Sequence, residues 1–194
     1  MGSAEREEKN IDGPFHQAGA SGSGEMADVD KPSPFKFRAY SSHIPEDRIT
    51  AVLLVPFLPD GSIVAIEHSK RGIDIPGGHR EHTDQSNFET ARRELLEESG
   101  VEIGQMIPCL IMESSGYDGD DTEPSYMIVM TGVAHKIGRF TPSKEIIARH
   151  FLSPEAFLQS YGGPYEKDMA FIIQTSLQTI SDKHGAAPEG FGWN

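Results

Sequence analysis

Residues 77–101, GGHREHTDQSNFETARRELLEESGV, constrain this chain more than any other stretch. Glu94, Glu97 and Glu98 stand at i, i+3 and i+4, a spacing that places all three carboxylates on one helical face. Like charges held that close destabilise a helix unless a cation sits among them. A hard divalent cation takes oxygen ligands, and Mg2+ binds through a few carboxylates together with substrate phosphates. Arg93 lies four residues before Glu97 and four after Glu89, so it can pair with either. The helix has a start signal, a capping box of Ser86 with Glu89, and Asp84 is a second candidate cap. Gly100 is its stop signal. Phe88, Ala91 or the stem of Arg92, and Leu95 supply the buried stripe opposite the acids. A charge run on a helix is usually just a solvated face. Here a Gly-Gly turn precedes it, where a backbone carbonyl can approach a ligand closely. Turn, capped helix, acid cluster and glycine stop together predict a loop–helix metal site.

These residues resemble the Nudix hydrolase signature, G-x5-E-x7-R-E-U-x-E-E-x-G-U, with U a bulky aliphatic. Residues 93–101 fill every specified position of its second half, and Gly77-Gly78 match the glycine turn that opens it. The first half departs from the pattern, because residues 79–92 run one longer than the signature. The central acid is then Asp84, with one residue too many after it, or Gln85 stands in its place. Asp84 is the better candidate, with the extra residue absorbed in the turn before the capping box. Loop lengthening there costs little, whereas an insertion inside the helix would turn the carboxylates away from Gly78 by roughly 100°.

The rest of the chain supports one domain with extensions, at 194 residues and a mean hydropathy of −0.42. Residues 1–34, rich in Gly, Ser, Glu and Pro, read as a disordered tail without a secretory h-region. Strands are expected over residues 35–40, 48–58, 62–68, 73–75, 103–113, 126–136 and 145–152, with a turn at 59–61. Residues 114–124 form a long acidic loop. Ser153-Pro154 starts a short helix to about residue 159. Residues 164–183 form a last helix, whose apolar stripe of Tyr165, Met169, Ile172, Ile173, Leu177 and Ile180 is core packing. The domain spans residues 35–185, and 186–194 form a loose tail. Strands on both sides of one central helix, followed by a long helix, predict an α/β fold with a mixed sheet between helices. The Nudix resemblance implies the same α/β/α sandwich.

A net charge of −13 argues against nucleic-acid or anionic-membrane binding and suits a protein that concentrates divalent cations. No apolar run approaches membrane-spanning length, which makes cytoplasmic residence the default expectation. The single cysteine, Cys109, sits in an apolar run and reads as a buried, inert thiol. His79 and His82 flank the glycine turn without a zinc-site pattern, and no Walker loop or G-x-S-x-G elbow occurs. Lys70, Arg71 and Arg80 bracket the turn and are candidates to clamp substrate phosphate, against the plainer alternative of scattered solubilising charge.

The resemblance implies a Mg2+-dependent pyrophosphohydrolase, with Mn2+ as the alternative ion. Its substrate would be a nucleoside diphosphate linked to another moiety, leaning to nucleoside triphosphates. Glu97 and Glu98 would be the main metal ligands, Glu94 a further ligand or the group that orients water, and the Gly78 carbonyl would complete the shell. Arg93 would hold the carboxylates. The general base stays open among Glu94, Glu145 and an acid of the 114–124 loop. The partner expected is a small nucleotide-type molecule, with homodimer formation left open. The second hypothesis is a catalytically silent Nudix-fold nucleotide-binding or regulatory module, favoured by the irregular first half and opposed by the intact acid cluster.

Overall fold

The computed structural model describes residues 33–41, 43, 44, 46–115 and 124–184. Nine strands and three α-helices occur among them: β1 (Phe35–Ala39), β2 (Ile49–Phe57), β3 (Ile63–His68), β4 (Gly72–Asp74), β5 (Gly77–His79), α1 (Asn87–Ser99), β6 (Val101–Ile103), β7 (Ile107–Ser115), β8 (Pro124–Ile137), β9 (Ile146–Leu152), α2 (Pro154–Ser160) and α3 (Glu166–His184). Of the expected tails at 1–34 and 186–194, residues 1–32 and all of 186–194 lie outside the described residues, as do the acids between 116 and 123.

The sheet runs β1-β7-β8-β2-β3-β4, with β5 added to β2, β6 to β8 and β9 to β3. β2 and β8 are parallel and the other pairs antiparallel, so the sheet is mixed. β2 is apolar at almost every position because both of its faces are covered. Alternate residues serve two cores. Leu53, Val55 and Phe57 pack with Met169, Ile172 and Leu177 of α3. Val52 and Leu54 pack with Ala91 and Leu95 of α1. The result is an α/β/α sandwich, α1 on one face and α2 with α3 on the other.

Two strands depart from the sequence expectation. The Gly-Gly turn is also a short strand, β5, in which Gly78 opposes Val52 and Gly77 opposes Leu53. A side chain at Gly77 would collide with the Val52 carbonyl, so the lack of a Cβ lets this strand lie tight on β2. Val101–Ile103 forms β6 against the end of β8, and the following strand starts later than expected, at Ile107.

Candidate active site

The helix that carries the acids starts and stops where its caps dictate. Ser86 accepts the Glu89 N–H at 3.3 Å, and the Glu89 carboxylate reaches back to the Gln85 N–H at 2.7 Å. The box therefore closes one residue earlier than the usual reciprocal pair, and it uses up Glu89, which leaves Arg93 to other partners. At the far end Gly100 is left-handed (φ 68°) and its N–H bonds the Leu96 carbonyl at 2.8 Å. Leu95 and Ala91 are wholly buried on the sheet side. Burial of a leucine on that scale stabilises by roughly 1.5–3 kcal/mol and fixes the rotation of α1. The opposite face, with Glu94, Glu97 and Glu98, is thereby aimed across β5.

Arg93 is the hub of that face. Its Nε and Nη2 donate to the two oxygens of Asp84 at 3.3 and 2.9 Å, a bidentate pair. Nη2 also donates to the His79 carbonyl at 3.0 Å, while Nη1 donates to Glu94 at 2.8 Å and Glu97 at 3.4 Å. The hydrogen bond from Arg93 pulls the Asp84 carboxyl down to about 2. Asp84 also accepts the Glu81 N–H at 2.9 Å and closes a turn from Glu81, so the extra residue lies in this turn region and not in the helix.

Glu98 has a different setting. Its Oε2 accepts the Gly77 N–H at 2.9 Å, but burial dominates and pushes its pKa up to about 8. Burial also raises Glu94, against the pull of Arg93. A Cβ at Gly78 would run into the Glu94 carboxylate, so this glycine is what lets the acid lie against the β5 backbone.

Whether these residues suit a divalent ion can be read from their chemistry. The donors are hard oxygens on one face, beside the side-chain-free Gly77-Gly78 backbone. Burial raises the pKa of both Glu94 and Glu98, a bias against their charge that a bound cation would offset. Among the described residues no three acidic or imidazole groups converge into a ready-made cage, and Arg93 still holds Glu94 and Glu97. The donor set fits; the oxygens would have to turn from Arg93 to close on an ion.

The remaining candidates are dispersed. Arg71 lies beside Asp74, with 3.5 Å between Nε and Oδ2. Arg80 donates to the Asp84 carbonyl at 3.3–3.4 Å. Lys70 is exposed, and its backbone N–H donates to His68 Nδ1 at 3.1 Å. Glu145 is exposed on the approach to β9, where its carbonyl accepts the Ser69 N–H at 2.7 Å. Cys109 donates to the Val129 carbonyl, and burial raises its thiol to about 11, as befits an unreactive cysteine. Sequence reasoning passed over Asp74 and Tyr161. They are 87 positions apart, and only a parallel bridge between Ile73 and Tyr161 brings their segments together.

Comparison with known proteins agrees with this geometry. The NUDIX domain model matches residues 47–170, and the chain belongs to the NUDIX family. In class that makes it a hydrolase of phosphoric anhydride bonds. Among solved structures it is similar to the Bacillus subtilis pyrophosphohydrolase BsRppH, at 16% identity and a TM-score of 0.62, over 75% of this chain and 90% of that one. It is also similar to the NUDIX domain of Shewanella oneidensis NrtR, crystallised with ADP-ribose, at 14% identity and a TM-score of 0.52, over 70% of this chain and 92% of that one. At such identities the likeness is one of fold. No curated protein matches the sequence.

Proposed function

We propose that the chain is a Mg2+-dependent pyrophosphohydrolase, with Mn2+ as a substitute, that cleaves a nucleoside diphosphate linked to another moiety. Nucleoside triphosphates are the substrates we favour, and a cytoplasmic location fits them. The observation that carries the reading is the acid face of α1. Half-buried Glu94 and Glu98 lie against the side-chain-free Gly77-Gly78 backbone, with Arg93 paired to Glu94 and Glu97.

Glu97, Glu98 and the Gly78 carbonyl would hold the ion, with Glu94 either a further ligand or the base, and the ion when bound would neutralise phosphate charge and acidify a water. Arg93 keeps Glu94 Oε1 in place through Nη1, and Glu94 Oε2 is the atom we assign to take the proton of the attacking water. A carboxyl raised by burial is suited to that task. Glu145, on the approach to β9, is the second candidate base. Lys70, Arg71 and Arg80 are assigned to substrate phosphate, as cations on the segments flanking β4 and β5.

The experiment is release of phosphate, pyrophosphate or nucleoside monophosphate across a panel of nucleotides with Mg2+, repeated in excess EDTA. Turnover that EDTA abolishes is the expected result. Equal turnover in EDTA overturns the metal role. Binding of a nucleotide with no turnover on any member of the panel favours the silent module.

A further inference from the structure

β4 and the loop 161–163 lie against each other just before the Gly77-Gly78 backbone of the site. Asp74 is 3% exposed, yet it is a carboxylate. One oxygen accepts the Ile75 N–H at 2.9 Å, and the other faces the Arg71 guanidinium at 3.5 Å. β4 ends at Asp74, only three residues before Gly77, whose N–H donates to Glu98 Oε2 at 2.9 Å, so the Arg71–Asp74 pair stands on the segment that leads into the Glu98 end of the acid face. A buried acid that merely ended a short strand would be better replaced by an apolar residue, since burial costs it enough to raise its pKa to about 6.

The loop after α2 closes over the pair. Tyr161 bridges Ile73, and Gly162 donates its N–H to the Ile73 carbonyl at 2.9 Å. A side chain at Gly162 would collide with the Arg71 carbonyl, and one at Gly163 with the Tyr161 hydroxyl. The two glycines therefore let the loop lie directly on the Arg71 backbone. The Tyr161 hydroxyl beneath it is buried and has no hydrogen-bond partner, although Asp74, Arg71 and Asp168 all act on it electrostatically.

We propose that Asp74 is a positioning residue for substrate binding: with the loop 161–163 it holds the Arg71 guanidinium at the Glu98 edge, where Arg71 takes a non-bridging oxygen of the substrate's diphosphate. Asp74 does not itself touch substrate. The inference rests on the pyrophosphohydrolase reading and adds to it the device that aims one of the three candidate cations.

The test uses the full chain with saturating Mg2+ and four proteins: wild type, Arg71→Ala, Asp74→Asn and the double variant. Steady-state kinetics on the best nucleotide of the panel is paired with calorimetric titration of inorganic pyrophosphate. Each single change is expected to raise KM by roughly ten- to a hundredfold, with kcat held within about threefold, the signature of lost uniform binding. In the Arg71→Ala background Asp74→Asn is expected to add nothing, because the group it aims is gone. Pyrophosphate affinity should fall in parallel. A lower Tm with unchanged KM in Asp74→Asn, or single effects that multiply in the double variant, overturns the positioning role. If Asp74→Asn does not fold, the comparison of Arg71→Ala with the double variant decides, and failure of both Asp74 variants to fold assigns Asp74 to the fold and overturns the proposal. Turnover that Arg71→Ala leaves unchanged defeats the clamp and spares the hydrolase reading. Pyrophosphate binding that needs Arg71 and Asp74, in a protein with no turnover, defeats the hydrolase reading and spares the clamp.

Discussion

At the Asp84 edge of α1, a single guanidinium meets Asp84 through two hydrogen bonds and also reaches Glu94 and Glu97. At the Glu98 edge, the acid has one backbone N–H, a more distant Arg71, and a second buried acid, Asp74, working against it. The first edge is tied together in the folded chain by that one guanidinium. The second is poised for a charge that the protein does not itself supply. The two edges therefore differ in kind: one is tied down by charged hydrogen bonds, and the other is held by a backbone amide while burial works against its charge.

The largest effect expected follows from the second edge. Glu98→Gln keeps the size of the side chain and removes the charge a hard cation requires. We expect kcat to fall by roughly 10²–10³-fold or more, as for the loss of several kcal/mol of metal-borne stabilisation, while Tm is unchanged or higher. Circular dichroism melts and initial rates on one preparation test this, and unchanged kcat with unchanged metal affinity would exclude Glu98 as a ligand.

Next in size is the first edge. Arg93→Lys retains the charge but loses the planar fork that spans Asp84 and Glu94. Asp84→Asn removes the other half of the same pair. Each is expected to cost roughly 1–3 kcal/mol of stability and about tenfold in kcat. A double-mutant cycle measures their coupling, and independent, additive effects would show that the pair does not act as a unit.

A gentler probe is pH, because the two edges titrate in opposite senses. Asp84 has a depressed pKa, so its contribution is present above 3.8 and is lost as pH falls toward about 2. Glu98 and Asp74 are raised, from 4.5 to about 8 and from 3.8 to about 6, so what they contribute is present at low pH and is lost as pH climbs through those windows. The metal-free protein should therefore lose stability between about pH 5 and 8, by an amount on the order of a few kcal/mol. Mg2+ should restore more of it at pH 8 than at pH 5, because the ion favours ionised Glu98. Chemical denaturation at three pH values, with EDTA and with Mg2+, checks this. A metal-free stability that is flat or rising across the window would show that Glu98 is already ionised.

The same contrast explains what the sequence could show. The helix and its acid face were legible because everything that makes them is local, whereas the pairing of Arg93 with Asp84, nine residues away across the turn, was not. Ser86, Glu89, Gly100, Leu95 and the acids lie within one short segment and follow helical spacing. The apolar strands β2, β3, β7, β8 and β9 were legible for the same reason, and so was the packing stripe of α3. β5 was read as a turn because Gly77-Gly78 carries no strand signal; β2 makes it a strand by accepting its backbone. β6 is three residues long and exists through its pairing with the end of β8. The Arg71–Asp74–Tyr161 group was invisible because a single acid in Ile73-Asp74-Ile75 announces nothing until the loop after α2 is laid on it. Pairings made between distant segments have no local period to betray them.

The smallest effect expected is also the sharpest test of register. Deleting Gln85 leaves seven residues between Asp84 and Arg93, the spacing of the family signature. In the structure Gln85 is exposed, and what it contributes is a backbone N–H to Glu89 at 2.7 Å. After deletion the N–H of Ser86 can serve Glu89, and the Ser86 cap is untouched. We expect kcat within about threefold of wild type and a loss of stability of roughly 0.5–2 kcal/mol, the scale of a disturbed cap. Deleting Ala91 is the internal control. It rotates the helix before it by roughly 100° relative to Glu94, Glu97 and Glu98, which detaches the Ser86 cap from the carboxylate face and leaves a gap opposite Leu54. That variant should have no measurable turnover. Activity in the Ala91 deletion together with loss of activity in the Gln85 deletion would mean that Asp84 belongs to the helix in solution and that the extra residue is carried within it.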